Sequence, residues 1–201
     1  MNKDWNGGYR SVFSCLGASN QTEKERELND YYATDPKAID ALVSLVEIPY
    51  KVWESSCGEG HLAKRLEQFG HEVISTDLID RGYGKGNVDF FACKEMPQGC
   101  SCIVTNPPYK YATEYVLHAL DLLPKGGVLA MFLKTSFLEG KIRKEKIYKN
   151  TPPKFLLQFS GRIVCAKNGD FESMKKVGSA VSYAWYVWIK GDTTPTTIKW
   201  I

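Results

Sequence analysis

The sequence predicts an α/β protein built on a largely parallel sheet. Three observations carry that reading. Short apolar runs at 51–54, 72–76, 101–105 and 128–133 alternate with stretches of helical periodicity. Glycine and proline punctuate them, at Pro49, Gly58, Gly60, Gly70 and Pro124-Lys125-Gly126-Gly127. The unusual polar residues gather where strands end: Glu54 with the small-residue loop behind it, Asp77, Asp89 and Asn106. In open α/β sheets, ligands bind beyond the carboxyl ends of the strands, near the switch in strand order.

Residues 1–30 are polar and read as an arm, ahead of one domain over 31–201. Asp35-Pro36 starts a helix whose Ile39, Leu42, Val43 and Val46 share a face. Lys51–Glu54 is the first strand of the sheet. Ser55 to Gly60 is a loop, and His61–Phe69 a helix with Leu62, Leu66 and Phe69 inward, stopped by Gly70. Glu72–Thr76 is a second strand, and Val88-Asp89-Phe90-Phe91 opens a third unit. Ser101–Thr105, helix Tyr111–Leu123 and buried strand Val128–Leu133 follow. Residues 136–149 read as a helix with a basic segment. Two late strands, 155–159 and 180–189, flank a loop at 167–178 that reads as mobile. The aromatics of the second late strand and Trp53 read as core.

Composition excludes some classes. Hydrophobic and charged shares of 43% and 24% are ordinary for a globular chain, so neither a disordered nor a fibrous protein is expected. The apolar run at 128–133 is too short to span a bilayer, and Met1-Asn2-Lys3-Asp4 has no signal-peptide character. Cys100-x-Cys102 lacks zinc spacing, so the cysteines read as reduced thiols of a cytoplasmic protein. A net charge of +3 permits a nucleic-acid partner without requiring one. His61 starts a helix beside the glycine loop and reads as a solvated or capping residue, with contact to a cofactor as the alternative; His71 and His118 show no partners in the pattern.

Asn106-Pro107-Pro108-Tyr109 carries the chemistry. An exocyclic amine on a flat base is a poor nucleophile, because its lone pair is delocalised into the ring. Two acceptors aimed at its N–H bonds draw it towards a tetrahedral nitrogen. Asn106 offers a side-chain carbonyl and Pro107 a backbone carbonyl. Pro107 has its φ fixed by its ring and is biased to extended backbone by Pro108, so the acceptor is set in advance. Tyr109 offers a face for an extruded base. Upstream, Gly58 and Gly60 allow close backbone approach to a ligand. Glu54 can order the loop or meet a cation. Asp77 can accept ribose hydroxyls. Asp89 can accept from an adenine amino group, with Phe90 covering the ring face. Gly58-x-Gly60-x-x-Ala63 also fits the dinucleotide fingerprint, so an NAD-dependent oxidoreductase is the competing class. A non-catalytic nucleic-acid-binding module is a third.

In this order, Glu54-Ser55-Ser56-Cys57-Gly58-Glu59-Gly60, Asp77, Asp89-Phe90 and Asn106-Pro107-Pro108-Tyr109 resemble the amino-group methyltransferases that use S-adenosylmethionine. DNA adenine N6-methyltransferases, including short phage-type members, are most similar. The resemblance covers about residues 30–190. It implies a class I, Rossmann-like, mostly parallel seven-stranded sheet with helices on both faces and a late antiparallel strand. Tyr32, Thr34, Glu54, Ser56, Gly58, Gly60, Asp77, Leu78, Asp89, Phe90 and Asn106 would then line S-adenosylmethionine, with Thr34 near its carboxylate. No metal is expected, because the donor is already a sulfonium. Cytosine N4, RNA bases and protein glutamine are alternative acceptors sharing the motif. Pro108, Tyr109 and the basic run Lys141, Arg143, Lys144 and Lys146 would meet the nucleic acid, with Lys149, Lys167 and Lys175-Lys176 nearby. Family members that recognise a DNA sequence usually carry a separate recognition domain; here only 1–30, 136–150 and 165–178 are free for that work.

Overall fold

The computed structural model describes residues 32–167 and 181–201. The arm at 1–30, most of the 167–178 loop and Lys175-Lys176 lie outside the described residues.

In chain order the elements are β1 (Tyr32–Thr34), α1 (Lys37–Val43), β2 (Lys51–Glu54), α2 (His61–Gln68), β3 (Glu72–Ser75) and β4 (Cys102–Thr105). After them come α3 (Ala112–Leu122), β5 (Val128–Lys134), α4 (Lys141–Arg143, running on as one π turn to Tyr148), β6 (Phe155–Gln158), β7 (Cys165–Lys167), β8 (Tyr183–Ile189) and β9 (Thr197–Trp200). Seven strands form one sheet in the order β3-β2-β4-β5-β8-β6-β9. The pairings β2–β3, β2–β4, β4–β5 and β6–β9 are parallel. β8 lies between β5 and β6 and runs against both, so the sheet is mixed.

Val88–Phe91 forms no strand. Asp89 instead accepts a hydrogen bond from the Phe91 N–H at 2.9 Å and caps a single 3₁₀ turn, Phe90–Ala92. A local side-chain acceptor out-competes a ladder that has no neighbour to pair with. The seventh strand is β9, which the sequence pattern does not reveal. Its Thr-Ile-Lys-Trp is β-prone, yet three of its four residues are exposed, so it shows no burial pattern to find.

The sheet is covered on both faces. On one, Tyr115, Val116, Ala119 and Leu120 of α3 pack on Trp53, Ile103, Leu129, Met131, Tyr186 and Trp188. On the other, Ile39 and Leu42 of α1 with Leu62 and Leu66 of α2 pack on Val52, Cys102, Val104, Ala130, Phe132 and Trp185. Adjacent strand residues go to opposite cores, as the two-residue period requires, and this is why the central strands are apolar throughout. Trp185 donates its indole N–H to the Ala38 carbonyl at 2.7 Å, pinning α1 across β8. Apart from the main sheet, β1 and β7 make an antiparallel pair with Thr34 opposite Cys165. Among the described residues, no helix is long and apolar enough to cross a membrane.

The carboxyl ends of β2, β4 and β5 lie on one edge. From β2 the chain passes to β3 on one side, and then to β4 on the other. The switch point therefore falls between β2 and β4, at Glu54 and Asn106.

Candidate active site

The loop after β2 is held by its neighbour strand. Thr76 donates its N–H to the Glu54 carbonyl at 2.8 Å, and Cys57 donates to the Thr76 carbonyl at 3.0 Å. Asp77 then ties the glycines down. Its carboxylate accepts from the Gly58 N–H at 2.8 Å and the Ile79 N–H at 2.9 Å. A carboxylate has further lone pairs, so these two bonds leave it acceptor capacity. Gly58 and Gly60 both have left-handed φ, 54° and 81°. At Gly60 the close approach is to protein: a Cβ there would collide with the ring of Tyr83, whose hydroxyl donates to Glu67 Oε1 at 3.2 Å. That corrects the reading of Gly60 as an opening for ligand.

Glu54 is 1% exposed, and its Oε2 has no hydrogen-bond partner among the described residues. Burial, reinforced by the charge of Asp77, drives its carboxyl well above the usual carboxylate range, with the Ala63 N–H acting in the other direction. Burial and the same two acids push the Cys57 thiol up to about 12.

Beyond Asp77, Leu78 is 56% exposed. Phe90 is not free to cover a base. It is buried and stacked on Tyr115 (centroids 4.0 Å, planes 10° apart), with Trp53 and the edge of His118 around it. Its neighbour Phe91 is the exposed ring. His118, unassigned from sequence, has Nε2 3.0 Å from the Phe90 carbonyl oxygen. Tyr115 donates to Ser55 Oγ at 2.7 Å and lies 2.8 Å from Ser56 Oγ, so Ser56 faces α3 through a tyrosine that the sequence marks only as part of a helix.

Asn106 donates its Nδ2–H to Thr34 Oγ1 at 2.9 Å, which fixes which way the side-chain carbonyl faces. Pro107 is buried and Pro108 exposed, with Pro108 in extended backbone. The Tyr109 hydroxyl is 3.7 Å from Cys165 Sγ, and burial holds it well above the usual phenol range. Lys134 Nζ, at the end of β5, stands 5.2 Å from the Tyr109 ring centroid, and Tyr183 lies 6.1 Å away. The sequence singles out neither Lys134 nor Cys165, because nothing local marks them. Tyr32 is placed in β1, opposite Lys167.

No family model matches the sequence, and no curated protein matches it. Solved structures do. A candidate class I S-adenosylmethionine-dependent methyltransferase from Listeria monocytogenes superposes with a TM-score of 0.58, at 10% identity, over 95% of this chain and 71% of that one. The chain has the class I methyltransferase fold. A candidate hemolysin from Lactococcus lactis shares it with a TM-score of 0.59, at 13% identity, over 82% of this chain and 91% of that one. So does a modification subunit of a candidate type I restriction enzyme from Vibrio vulnificus, with a TM-score of 0.55, at 13% identity, over 96% of this chain and 51% of that one.

On this methyltransferase fold the basic run follows β5 at the same edge. Lys141, Lys144, Lys146 and Lys149 are exposed. Arg143 is not free for phosphate, which corrects its grouping with the lysines. Its Nε donates to the Phe137 carbonyl at 2.8 Å, its Nη2 reaches the Ser136 and Glu139 carbonyls, and its guanidinium lies over the Phe137 ring. It closes the turn between β5 and α4.

Proposed function

We propose that this protein transfers a methyl group from S-adenosylmethionine to an exocyclic amino group, adenine N6 of DNA. The observation that carries the reading is one of position. Asn106-Pro107-Pro108-Tyr109 leaves β4 at the switch point, on the sheet edge that also holds Glu54, the Gly58 loop and Asp77. An amine-activating loop and a nucleoside-type pocket on one edge suit this transfer.

The residues present fit the donor. It carries a sulfonium and an ammonium; the buried Glu54 carboxyl has a spare oxygen beside Asp77, and a bound cation would favour its ionised form. S-adenosylmethionine supplies a methyl group already activated for attack by a nitrogen lone pair. The chain's part is to prepare that nitrogen. The Asn106 carbonyl oxygen and the Pro107 carbonyl accept from the two N–H bonds, so the lone pair leaves conjugation as the nitrogen turns tetrahedral. Tyr109 fixes the base plane, and Lys134 beside it suits an electron-rich ring or a flanking phosphate. Gly58, Asp77, Leu78 and Asp89 are the proposed nucleoside contacts. The exposed lysines of α4 and its π turn are the proposed phosphate contacts.

Mass spectrometry of nucleosides from DNA and RNA incubated with the protein and isotopically labelled donor tests this. Labelled N6-methyladenine in DNA is the expected product. Labelled N4-methylcytosine or methylated RNA would move the acceptor and keep the chemistry. Calorimetry showing tight NAD binding and none for S-adenosylmethionine would replace the reading with an oxidoreductase.

A further inference from the structure

Both ends of the Asn106–Tyr109 loop are held from outside the main sheet, and by a single pair of residues. Thr34 and Cys165 are direct register partners of the β1–β7 ladder. Thr34 Oγ1 accepts from Asn106 Nδ2 at 2.9 Å. Cys165 Sγ lies 3.7 Å from the Tyr109 hydroxyl. The two clamp side chains meet each other, with Oγ1 and Sγ 3.9 Å apart. Both are buried, Thr34 to 2% exposure and Cys165 to 4%. A main-chain anchor joins the same strands to the helix start, because Asp35 donates its N–H to the Val164 carbonyl at 3.0 Å.

We propose that Thr34 and Cys165 are positioning residues, a two-point clamp that sets the amide of Asn106 and the ring of Tyr109 relative to each other. The proposal rests on the methyl-transfer reading for its catalytic consequence. It also revises the part assigned to Thr34, from cofactor contact to orienter of the amide. The physics is that of rotamer selection. An Asn amide can turn by half a rotation at little cost, exchanging acceptor for donor. Only one of the two orientations offers a carbonyl to an amine; with its own hydrogen directed at Cys165 Sγ, 3.9 Å away, the Thr34 hydroxyl is left to accept the Nδ2–H and favours that orientation. On Tyr109 the hydroxyl-to-sulfur contact stops the ring from swinging about its Cα–Cβ bond, so the face stays where the base must lie. Holding both through one register pair couples their spacing to the β1–β7 ladder. A misplacement of about 1 Å at a reacting centre can cost a hundredfold in rate.

The variants are Thr34→Val, which keeps shape and removes the hydroxyl, and Thr34→Ser, which restores it. Cys165→Ala and Cys165→Ser form the second pair. Three readouts are taken on each full-length protein. They are the kcat and KM for DNA, the affinity for S-adenosylmethionine, and the exchange rate of the Asn106 side-chain amide protons by nitrogen-15 NMR. Thr34→Val should lower kcat by about ten- to a hundredfold with donor affinity held, and should speed Asn106 amide exchange at least about tenfold. Thr34→Ser should return both to near the parent. Cys165→Ala should lower kcat by a smaller factor, with Cys165→Ser closer to the parent. Loss of donor affinity in Thr34→Val with kcat and amide exchange unchanged would overturn the clamp. So would equal losses in Thr34→Val and Thr34→Ser. The NMR arm separates the two failures: a parent protein that methylates no nucleic acid defeats the methyl-transfer reading, and unaltered Asn106 exchange in Thr34→Val defeats the clamp.

Discussion

The two halves of the site are built differently. The β2 half, from Glu54 through the Gly58 loop to Asp77 and Asp89, is held mainly by main-chain bonds and by carboxylates within a few dozen residues of the groups they serve, with the Tyr115 hydroxyl on Ser55 and Ser56 as a longer-range tie. The β4 half is held by side chains far away in the chain. Asn106 and Thr34 are 72 positions apart, and Tyr109 and Cys165 are 56 apart. A half fixed mostly by local backbone has most of its shape once β2, β3 and α2 pack, with α3 adding the Tyr115 tie. A half fixed by remote side chains has its shape only when the whole domain has closed. Substitutions in the first should act mainly through stability and ligand affinity, and those in the second mainly through rate.

The largest expected effect is on the β4 side. Asn106→Ala should lower turnover by about two to three orders of magnitude, the usual cost of removing an acceptor or donor used in the transition state, with donor affinity changed little. Single-turnover kinetics beside calorimetry measures both. A variant that loses donor affinity and keeps its rate constant would merge the two halves and break the comparison.

Asp77→Ala tests the other side. It strips acceptors from the Gly58 and Ile79 N–H groups, so the unliganded protein should lose about 1.5–3 kcal/mol, the range for hydrogen bonds to a charged group. Chemical denaturation measures it, and an unchanged midpoint would show the loop is held without Asp77.

The basic segment divides in the same manner. Changing Lys141, Lys144 and Lys146 to Gln should flatten the salt dependence of DNA binding by up to about 0.9 in slope for each phosphate left without its lysine. Arg143→Gln should leave that slope alone and lower the melting temperature, because its bonds go to the 136–139 turn. Equal salt slopes for parent and triple variant would leave the lysines as a solvated face.

The smallest effect is at Glu54, and its sign is specific. The folded-state pKa is raised by burial, so the native state keeps a proton that the unfolded chain loses near pH 4.5. Stability therefore falls as pH rises from about 4.5 to the raised value, and the cost is fully present above it. Glu54→Gln should abolish that slope and stabilise the unliganded protein at neutral pH, while weakening the binding of a cationic donor. Melting curves across pH with and without S-adenosylmethionine check both signs. Stabilisation without loss of affinity would remove Glu54 from the donor site.

The sequence alone determined the α/β alternation and the strand ends on which the site is built. Short apolar runs closed by Gly58, Asp77 and Asn106 need only local sterics and hydrogen bonding to be legible. It also singled out Asn106, Pro107 and Tyr109, because their types carry the chemistry themselves. Only the tertiary structure decided the rest. Phe90 reads as a ligand face beside Asp89, yet α3 brings Tyr115 and His118 over it, and burial of an aromatic ring between elements outweighs exposure to a ligand. Gly60 reads as an opening, and Tyr83, distant in sequence, fills the space. Arg143 stands in a run of cations, and the turn before it supplies three carbonyls that a rigid guanidinium satisfies better than solvent does. Lys134, Thr34 and Cys165 reach Tyr109 and Asn106 because the ends of β5 and β1 and the start of β7 meet at one edge. Such partnerships depend on which surfaces pack together, and no period or spacing along the chain encodes them.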